Sequence, residues 1–123
     1  MADSLQIELV AADRVVWSGQ ATEISARTVE GDLGVLRGHA PLLSLLVPGV
    51  VTIHPAEGGD VVKAAVGSGF LSVADDHISV LSEDISLADE LDKAAVEAEL
   101  TAAKESEDED AVRFAEAKAQ LVS

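Results

Sequence analysis

The sequence predicts an all-β sandwich, in the form of a flattened antiparallel barrel, over residues 1–86, followed by a C-terminal α-helical hairpin over residues 87–123. Two observations support this fold class. All nine glycines and all three prolines lie at or before Gly69, so the residues that reverse strands are confined to the first two thirds of the chain. From about Asp89 onwards, alanine, glutamate, aspartate, lysine and leucine dominate, and most of these favour helices.

Short runs of alternating apolar and polar residues identify the strands. The apolar members of three such runs are Leu5, Ile7 and Leu9, then Val51 and Ile53, then Ile78 and Val80. A strand with this period buries one face and exposes the other. The turns between strands are predicted at Gly19, Gly31, Pro48-Gly49, Gly58-Gly59 and Asp75-Asp76. Many short strands between such turns favour an antiparallel sandwich over alternating βα units.

The tail is predicted to contain two helices. Asp89 is the predicted N-cap of the first helix, since a short acidic side chain can accept a hydrogen bond from the first turn. The predicted buried face of that helix contains Leu91, Ala95, Ala98 and Ala102. Because alanine buries little area, we expect the tail to dock reversibly on the sandwich or on a partner.

A second helix is predicted to begin near Glu107, where Ser106 and Glu109 have the spacing of a capping box. The acidic run around this position would repel itself inside one long helix but is favourable at a helix start. Phe114, Ala117 and Leu121 would then share one face. No glycine or proline enforces a turn over residues 104–111, so one continuous helix is the alternative.

Composition excludes several classes of function. The net charge is −15 with only eight lysines and arginines, which argues against binding to nucleic acid and to anionic lipid. Cysteine is absent, so neither a disulfide nor a thiolate site is available. The N-terminus lacks the basic start and apolar run of a signal peptide, and the stretch 40–56 is too broken by proline to span a membrane.

No catalytic residue and no metal site is predicted. His39, His54 and His77 are far apart and form no ligand-spaced motif. Ser68 lies between two glycines, but Val66 breaks the G-x-S-x-G pattern of a nucleophile elbow. We expect these glycines to allow a bulge or a close approach of the backbone. Trp17 and Phe70 are predicted to lie in the core, with anchoring of a partner as the alternative.

Three segments carry a resemblance to a known family. The first is Gly31-Asp32-Leu33-Gly34-Val35-Leu36-Arg37-Gly38-His39-Ala40-Pro41-Leu42-Leu43, the second is Gly67-Ser68-Gly69-Phe70-Leu71-Ser72-Val73, and the third is Leu91-Asp92-Lys93-Ala94-Ala95. In this order they resemble the epsilon subunit of bacterial F-type, proton-translocating ATP synthases, with Arg37 where proline is usual. Without the resemblance, the first segment would be read as a glycine-rich turn with Asp32 as a solvated side chain.

The resemblance implies a non-catalytic subunit of the central stalk, or rotor. Such a subunit couples proton transport through the membrane-embedded c-ring to ATP synthesis through the gamma subunit, and it regulates ATP hydrolysis. It lies on the cytoplasmic side of the cell membrane as a peripheral component. The residues that would contact the c-ring are Gly31, Asp32, Leu33, Gly34, Arg37 and His39. The alternatives are a free-standing β-sandwich module that binds a small ligand and an enzyme with an unrecognised site.

The resemblance also implies functions for the tail. A regulatory nucleotide site would begin at Leu91 and Asp92, but Ala95 and Val96 replace the arginine and alanine of the family pattern, which argues against ATP binding. We therefore expect no cofactor. The tail helices could reach the alpha/beta catalytic head, although Arg113 and Lys118 are the only bases of the second helix and weaken an electrostatic route to inhibition.

Overall fold

The computed structural model describes residues 4–122 and confirms the predicted fold class. Nine strands form a closed β-sandwich, which is followed by a short 3-10 turn and two helices. The strands are β1 Leu5–Val10, β2 Val15–Thr28, β3 Gly31–Leu36, β4 Leu42–Leu46, β5 Gly49–Pro55, β6 Val62–Val66, β7 Gly69–Ala74, β8 His77–Ser82 and β9 Ile85–Leu87. The 3-10 turn spans Ala88–Glu90, and the helices are α1 Lys93–Ser106 and α2 Glu109–Val122. The predicted outer limits at residues 1 and 123 lie outside the described part.

The sheet closes because β1 pairs with both β8 and β2, and β2 pairs in turn with β4. The main order is β1-β8-β7-β4-β2-β5-β6-β9; β1 also pairs with β2, and β3 pairs with the second half of β2. The β1–β8 pair is parallel, and the other recorded pairs are antiparallel. This single parallel pair is the one detail in which the topology departs from a wholly antiparallel barrel.

The predicted alternation of strand residues is confirmed. Leu5, Ile7 and Leu9 of β1 are fully buried, as are Ile53 of β5 and Val80 of β8. These side chains form one core with their counterparts on the other strands. A continuous core of Leu, Ile and Val is what makes the sandwich a stiff unit.

Two glycines are needed for close packing rather than for turns. The predicted turn at Gly19 is wrong, because this residue lies inside β2 under the ring of Trp17, where a Cβ would come within 2.9 Å of the ring. Trp17 packs against the core, as expected. At Gly69 a Cβ would lie 1.9 Å from the carbonyl oxygen of Leu81, so the expected close approach of the backbone is confirmed.

The start of α1 differs from the prediction. The N-cap is Asp92, whose Oδ2 accepts a hydrogen bond from the Ala95 amide at 3.1 Å, whereas Asp89 lies in the preceding 3-10 turn. The predicted buried face of α1, with Leu91, Ala95, Ala98 and Ala102, is also wrong. Val96 and Ala103 are the buried residues of α1, with Leu100 partly buried between them, because the two bulkier apolar side chains, Val96 and Leu100, determine the inward face and Ala103 shares it.

The predicted break between the helices is confirmed, but its chemistry differs. Glu107 ends α1 with a left-handed φ of +61°, and the carboxylate of Asp108 accepts hydrogen bonds from the amides of Asp110 and Ala111 at 3.0 and 3.2 Å. The Ser106–Glu109 capping box is not formed, since the Ser106 hydroxyl donates to the carbonyl of Ala103. Asp108 is the N-cap of α2 because it directly precedes the first turn of that helix.

Helix α2 packs between α1 and the sandwich. It lies on β5 and β6 and buries Ala115 and Ala117, while Phe114 and Leu121 are partly buried. Lys118 joins the helices through an ion pair with Glu99 at 2.9 Å and lies 4.3 Å from the centre of the Phe114 ring. The tail is therefore docked on the sandwich through small apolar side chains.

Candidate partner-binding surfaces

The β2–β3 hairpin holds the first part of the predicted ring contact. Thr28 stabilises its turn by donating to the carbonyl of Gly31 at 2.7 Å and accepting from the amide of Glu30 at 3.1 Å. Gly31 has a φ of +119°, which a residue with a side chain rarely adopts. This local geometry directs the following residues into a strand, so the predicted loop is largely β3.

Asp32 lies on the outside of this hairpin. Its carboxylate is 80% exposed and pairs with Arg27, the residue opposite it on β2, at 3.3 Å. An ion pair this exposed contributes little to stability, because water screens both charges. The carboxylate is therefore accessible to a partner that offers a better-placed donor.

The other predicted contact residues lie at the far end of β3. Arg37 and His39 follow the strand, where the Gly38 amide donates to the Asp76 carboxylate at 2.6 Å and ties this turn to the β7–β8 turn. His39 Nδ1 lies 2.8 Å from the carbonyl oxygen of Ala40. Five strand steps separate Gly31 from Leu36, a distance of about 17 Å.

The six predicted residues are therefore spread along a strand and are not gathered in one loop. Gly31, Asp32 and Gly34 are exposed, while Leu33 is partly buried against the core. Within the described residues β3 pairs with β2 alone, so its second edge faces outwards. An open strand edge with exposed polar residues is a surface that a partner can bind.

A second surface was missed by sequence reasoning. Register places Val10 beside Leu81, Leu81 beside Phe70, and Phe70 beside Leu45, in a row across β1, β8, β7 and β4. The amide of Val29 bonds to the carbonyl of Leu45 and extends the row. We call these five residues the apolar stripe.

The stripe faces outwards. Leu45 is 61% exposed, Val29 58% and Phe70 41%, so the expectation that Phe70 lies in the core is wrong. The alternation of residues along β7 indicates this exposure, because Phe70 shares its face with Ser72 while Leu71 and Val73 point inwards. The next row on the same outer face is polar on three strands, with Glu8, Ser79 and Ser72, and apolar on β4, where Leu43 is exposed.

A groove of about 810 Å³ runs along the stripe. Its floor is apolar, and acidic residues line it at two points, Glu83 after β8 and Asp110 in the first turn of α2. The Ser68 hydroxyl donates to Asp110 Oδ2 at 3.4 Å. The docked tail therefore forms part of the wall of this groove.

The residues at the predicted nucleotide site do not fit a triphosphate. The carboxylate of Asp92 is engaged as the α1 N-cap, and the position where the family pattern has arginine is the exposed Ala95. A phosphate at this point would meet an acidic side chain without a matched guanidinium. Among residues 4–122 no group of histidine and acidic side chains could hold a metal ion. Neither the length nor the hydrophobicity of a membrane-spanning segment is found in any helix of these residues.

Comparison with known proteins identifies the family. Residues 4–88 match the model of the ATP synthase delta/epsilon chain beta-sandwich domain. The chain belongs to the ATP synthase delta/epsilon family. It is 51% identical to the ATP synthase epsilon chain of Streptomyces griseus over 100% of this chain and 98% of the relative. It is 45% identical to the epsilon chain of Corynebacterium diphtheriae over 98% of this chain and 93% of the relative.

These epsilon chains cover sandwich and tail together, so the resemblance drawn from the three sequence segments is confirmed, and a free-standing ligand-binding module is not favoured. Solved structures support the fold. A chain of the Euglena gracilis mitochondrial ATP synthase structure, which contains OSCP, F1 and the c-ring, matches with a TM-score of 0.73 at 23% identity, covering 96% of this chain and 76% of that chain. A chain of the Tetrahymena thermophila central stalk and c-ring structure matches with a TM-score of 0.61 at 19% identity, covering 93% and 96%.

Proposed function

We propose that this protein is a non-catalytic subunit of the ATP synthase central stalk. In this role it couples proton-driven rotation of the c-ring to ATP synthesis through the gamma subunit, and its tail regulates ATP hydrolysis. The observation that carries the proposal is the apolar stripe, exposed on a stiff sandwich in a chain whose full-length relatives are epsilon chains. A stalk component must pass torque between two partners, and a packed sandwich deforms little.

The gamma subunit is the proposed partner of the stripe. Contiguous exposed apolar surface is unusual on a protein without a partner, and aromatic residues are enriched at the centres of interfaces. Phe70 lies in the middle of the row, between Leu81 and Leu45. Covering these side chains would remove them from water and supply the main favourable term of binding.

The c-ring is the proposed partner of β3. Asp32, Gly31 and Gly34 offer a carboxylate and accessible backbone at one end of the strand, and Arg37 and His39 offer polar groups at the other. Contacts of this kind suit the polar loops of a membrane-embedded ring. The subunit would then lie at the cytoplasmic side of the cell membrane as a peripheral component.

The tail is proposed to act without a bound nucleotide or other cofactor. The missing guanidinium at Ala95 and the use of Asp92 as a cap support this proposal. In an extended position the helices would approach the alpha/beta head, with Arg113 and Lys118 as the cations of α2. A calorimetric titration with ATP should give no heat of binding, and saturable binding would contradict the proposal.

A double variant tests the proposed role of the stripe. Leu45→Glu with Phe70→Glu should abolish co-purification with the gamma subunit, because two charges would be buried at the interface without partners. Val61→Glu is the matched control, since Val61 is an exposed valine outside the stripe. Retention of gamma by the double variant, with the fold intact by circular dichroism, would exclude the stripe as the docking surface.

A charge reversal tests the ring contact. Asp32→Arg should weaken attachment of the subunit to the ring and lower ATP-driven proton pumping in membrane vesicles. Asp60→Arg introduces the same charge change at an exposed position between β5 and β6 and serves as the control. Pumping that is equal in the two variants would remove Asp32 from the contact.

A further inference from the structure

The turn that follows β3 has a defined backbone conformation and carries Arg37 and His39. The amide of His39 donates to the carbonyl of Leu36 at 3.2 Å and closes a four-residue β-turn. Gly38, the third residue of this turn, has a φ of +84°, whereas Arg37 does not have a positive φ. A type II turn requires a positive φ at its third residue, and glycine adopts it without steric cost. The segment from Leu36 to His39 therefore forms a type II turn.

The central peptide of this turn, between Arg37 and Gly38, is held from outside the turn. Its N–H takes no part in the closing bond from His39 to Leu36. It donates instead to Oδ1 of Asp76, 38 positions further along the chain, at 2.6 Å. Because the peptide is trans, the Arg37 carbonyl points the opposite way, away from Asp76. A flip of this peptide would convert the turn to type I with the closing bond intact, so the Asp76 carboxylate determines which way the peptide faces.

Asp76 has a backbone conformation that suits glycine better than a residue with a side chain. Its φ is +60°, next to Asp75 at +50°, and positive φ is uncommon outside glycine. The main-chain carbonyl of Asp76 accepts the amide of Gln6 at 2.9 Å, a bond that glycine could also accept. The bond from the Gly38 amide to the side chain is one that glycine could not provide. This partly buried carboxylate therefore has a task beyond forming the β7–β8 turn.

We propose that Asp76 is a positioning residue for the ring contact. Its carboxylate holds the peptide between Arg37 and Gly38, so that the Arg37 carbonyl and the side chains of Arg37 and His39 are presented to the c-ring in one arrangement. Asp76 itself needs no contact with the ring. A loop that is fixed before binding loses less conformational entropy on binding, which strengthens the contact. This inference rests on the proposed function, because it assigns a cause to the geometry of that surface.

The test compares two neighbouring glycine substitutions in the full-length chain. Asp76→Gly removes the carboxylate but keeps a backbone that tolerates positive φ. Asp75→Gly makes the same change at the adjacent position, where the side chain forms no hydrogen bond within residues 4–122. Asp76→Asn is the conservative variant, since its amide oxygen can still accept the bond and asparagine also tolerates this conformation.

Two measurements separate positioning from stability. In the isolated subunit, Asp76→Gly should be at least as resistant to denaturant as the wild type, yet exchange of the Gly38 amide should accelerate about tenfold or more. In membrane vesicles that contain the assembled ATP synthase, the same variant should lower proton pumping per ATP hydrolysed by about twofold to fivefold. Asp75→Gly should leave exchange and pumping within about 1.5-fold of the wild type, and Asp76→Asn should restore most of both.

Equal pumping in Asp76→Gly and Asp75→Gly would overturn the inference, as would unchanged exchange of the Gly38 amide in Asp76→Gly. A loss of pumping that comes with a loss of sandwich stability would also overturn it, because the role of the carboxylate would then be structural.

These outcomes are distinct from failure of the proposed function. If Asp32→Arg lowers pumping while Asp76→Gly does not, the ring contact stands and Asp76 has no part in positioning it. If neither variant lowers pumping and the wild-type chain does not co-purify with the c-ring, the proposed contact itself fails.

Discussion

The sandwich and the helical tail bury very different side chains. The core of the sandwich contains Leu, Ile and Val from both layers, with Ile7, Ile24 and Leu71 fully buried. The buried residues of the helices are one valine and three alanines: Val96, Ala103, Ala115 and Ala117. Since the stabilisation from burial follows the apolar area removed from water, the sandwich is held far more strongly than the tail.

The polar links between the two regions do not remove this difference. Arg14 reaches Glu90 and Ser68 reaches Asp110, and all four groups are partly or largely exposed. Exposed links of this kind contribute little, because water competes for each group. One chain therefore combines a tightly packed body with an element that is held by little buried apolar area. Reversible docking remains a prediction.

The largest expected effect is a core substitution in the sandwich. Leu71→Ala should lower the free energy of unfolding by about 2–5 kcal/mol, because it leaves a cavity among fully buried neighbours. Leu43→Ala is the control, since Leu43 lies on the outer face and is largely exposed. Denaturant unfolding followed by Trp17 fluorescence measures both. Similar losses in the two variants would mean that the sandwich core is less tightly packed than described.

A smaller and local effect is expected in the tail. Val96→Ala removes two buried methyl groups and should destabilise docking of α1 and α2 by about 1.5 kcal/mol. Amide exchange in residues 93–122 should accelerate, while exchange in the strands stays unchanged. Ala98→Ser, at an exposed position of the same helix, is the control. Acceleration in the strands as well would show that tail and sandwich unfold together and that the two regions are not separable.

The same contrast explains how much of the fold could be predicted. A strand repeats every two residues, so Ile7, Ile53 and Val80 identify their buried face from a few neighbours. In the tail nearly every face carries alanine, and the periodicity could not distinguish Ala95 or Ala98 from the buried Ala103. The predicted N-cap of α1, Asp89, differs from the observed one, Asp92, because several acidic residues were equally suitable as N-caps.

The candidate surfaces show a different limit. The glycine-rich segment 31–43 was visible as a motif, but whether it forms a loop or a strand depends on pairing with β2, which local sequence does not reveal. Detection of the apolar stripe required the register of four strands, since Val10, Leu81, Phe70 and Leu45 lie far apart in the chain. The Arg14–Glu90 pair joins residues 76 positions apart and has no local sequence signal. Long-range pairing was the missing information.

A substitution at the N-cap of α2 tests whether the helices behave as separate elements. Asp108→Ala removes the acceptor for two amides of the first turn and should destabilise α2 by about 1 kcal/mol. Exchange of the amides of Asp110 and Ala111 should accelerate most. Glu105→Ala changes an exposed acidic residue at the end of α1 and is the control for loss of charge. Equal exchange in the two variants would show that the cap contributes nothing to α2.

The smallest expected effect concerns the junction between the two regions. Both terminal guanidinium nitrogens of Arg14, Nη1 and Nη2, lie 2.9 Å from the carboxylate oxygens of Glu90, and Oε1 also accepts a hydrogen bond from the Leu87 amide at 2.9 Å. The hydrogen bond from Arg14, then the hydrogen bond from the Leu87 amide, and last the charge of Arg14 lower the pKa of Glu90 below its ordinary value of 4.5. A carboxyl whose pKa is lower in the folded state stabilises that state above pH 4.5, and this contribution is lost as the pH falls through the lowered folded pKa.

Acidification should therefore loosen the 3-10 turn before it unfolds the sandwich. The amide of Leu87 should lose its protection as the pH falls below about 4.5, whereas that of Ile53 in the core should keep it. In Glu90→Gln this step should be absent, because the side chain no longer titrates, and Glu83→Gln should retain it. A Leu87 transition that persists in Glu90→Gln would assign the pH response to another group and would remove this link from the junction between sandwich and tail.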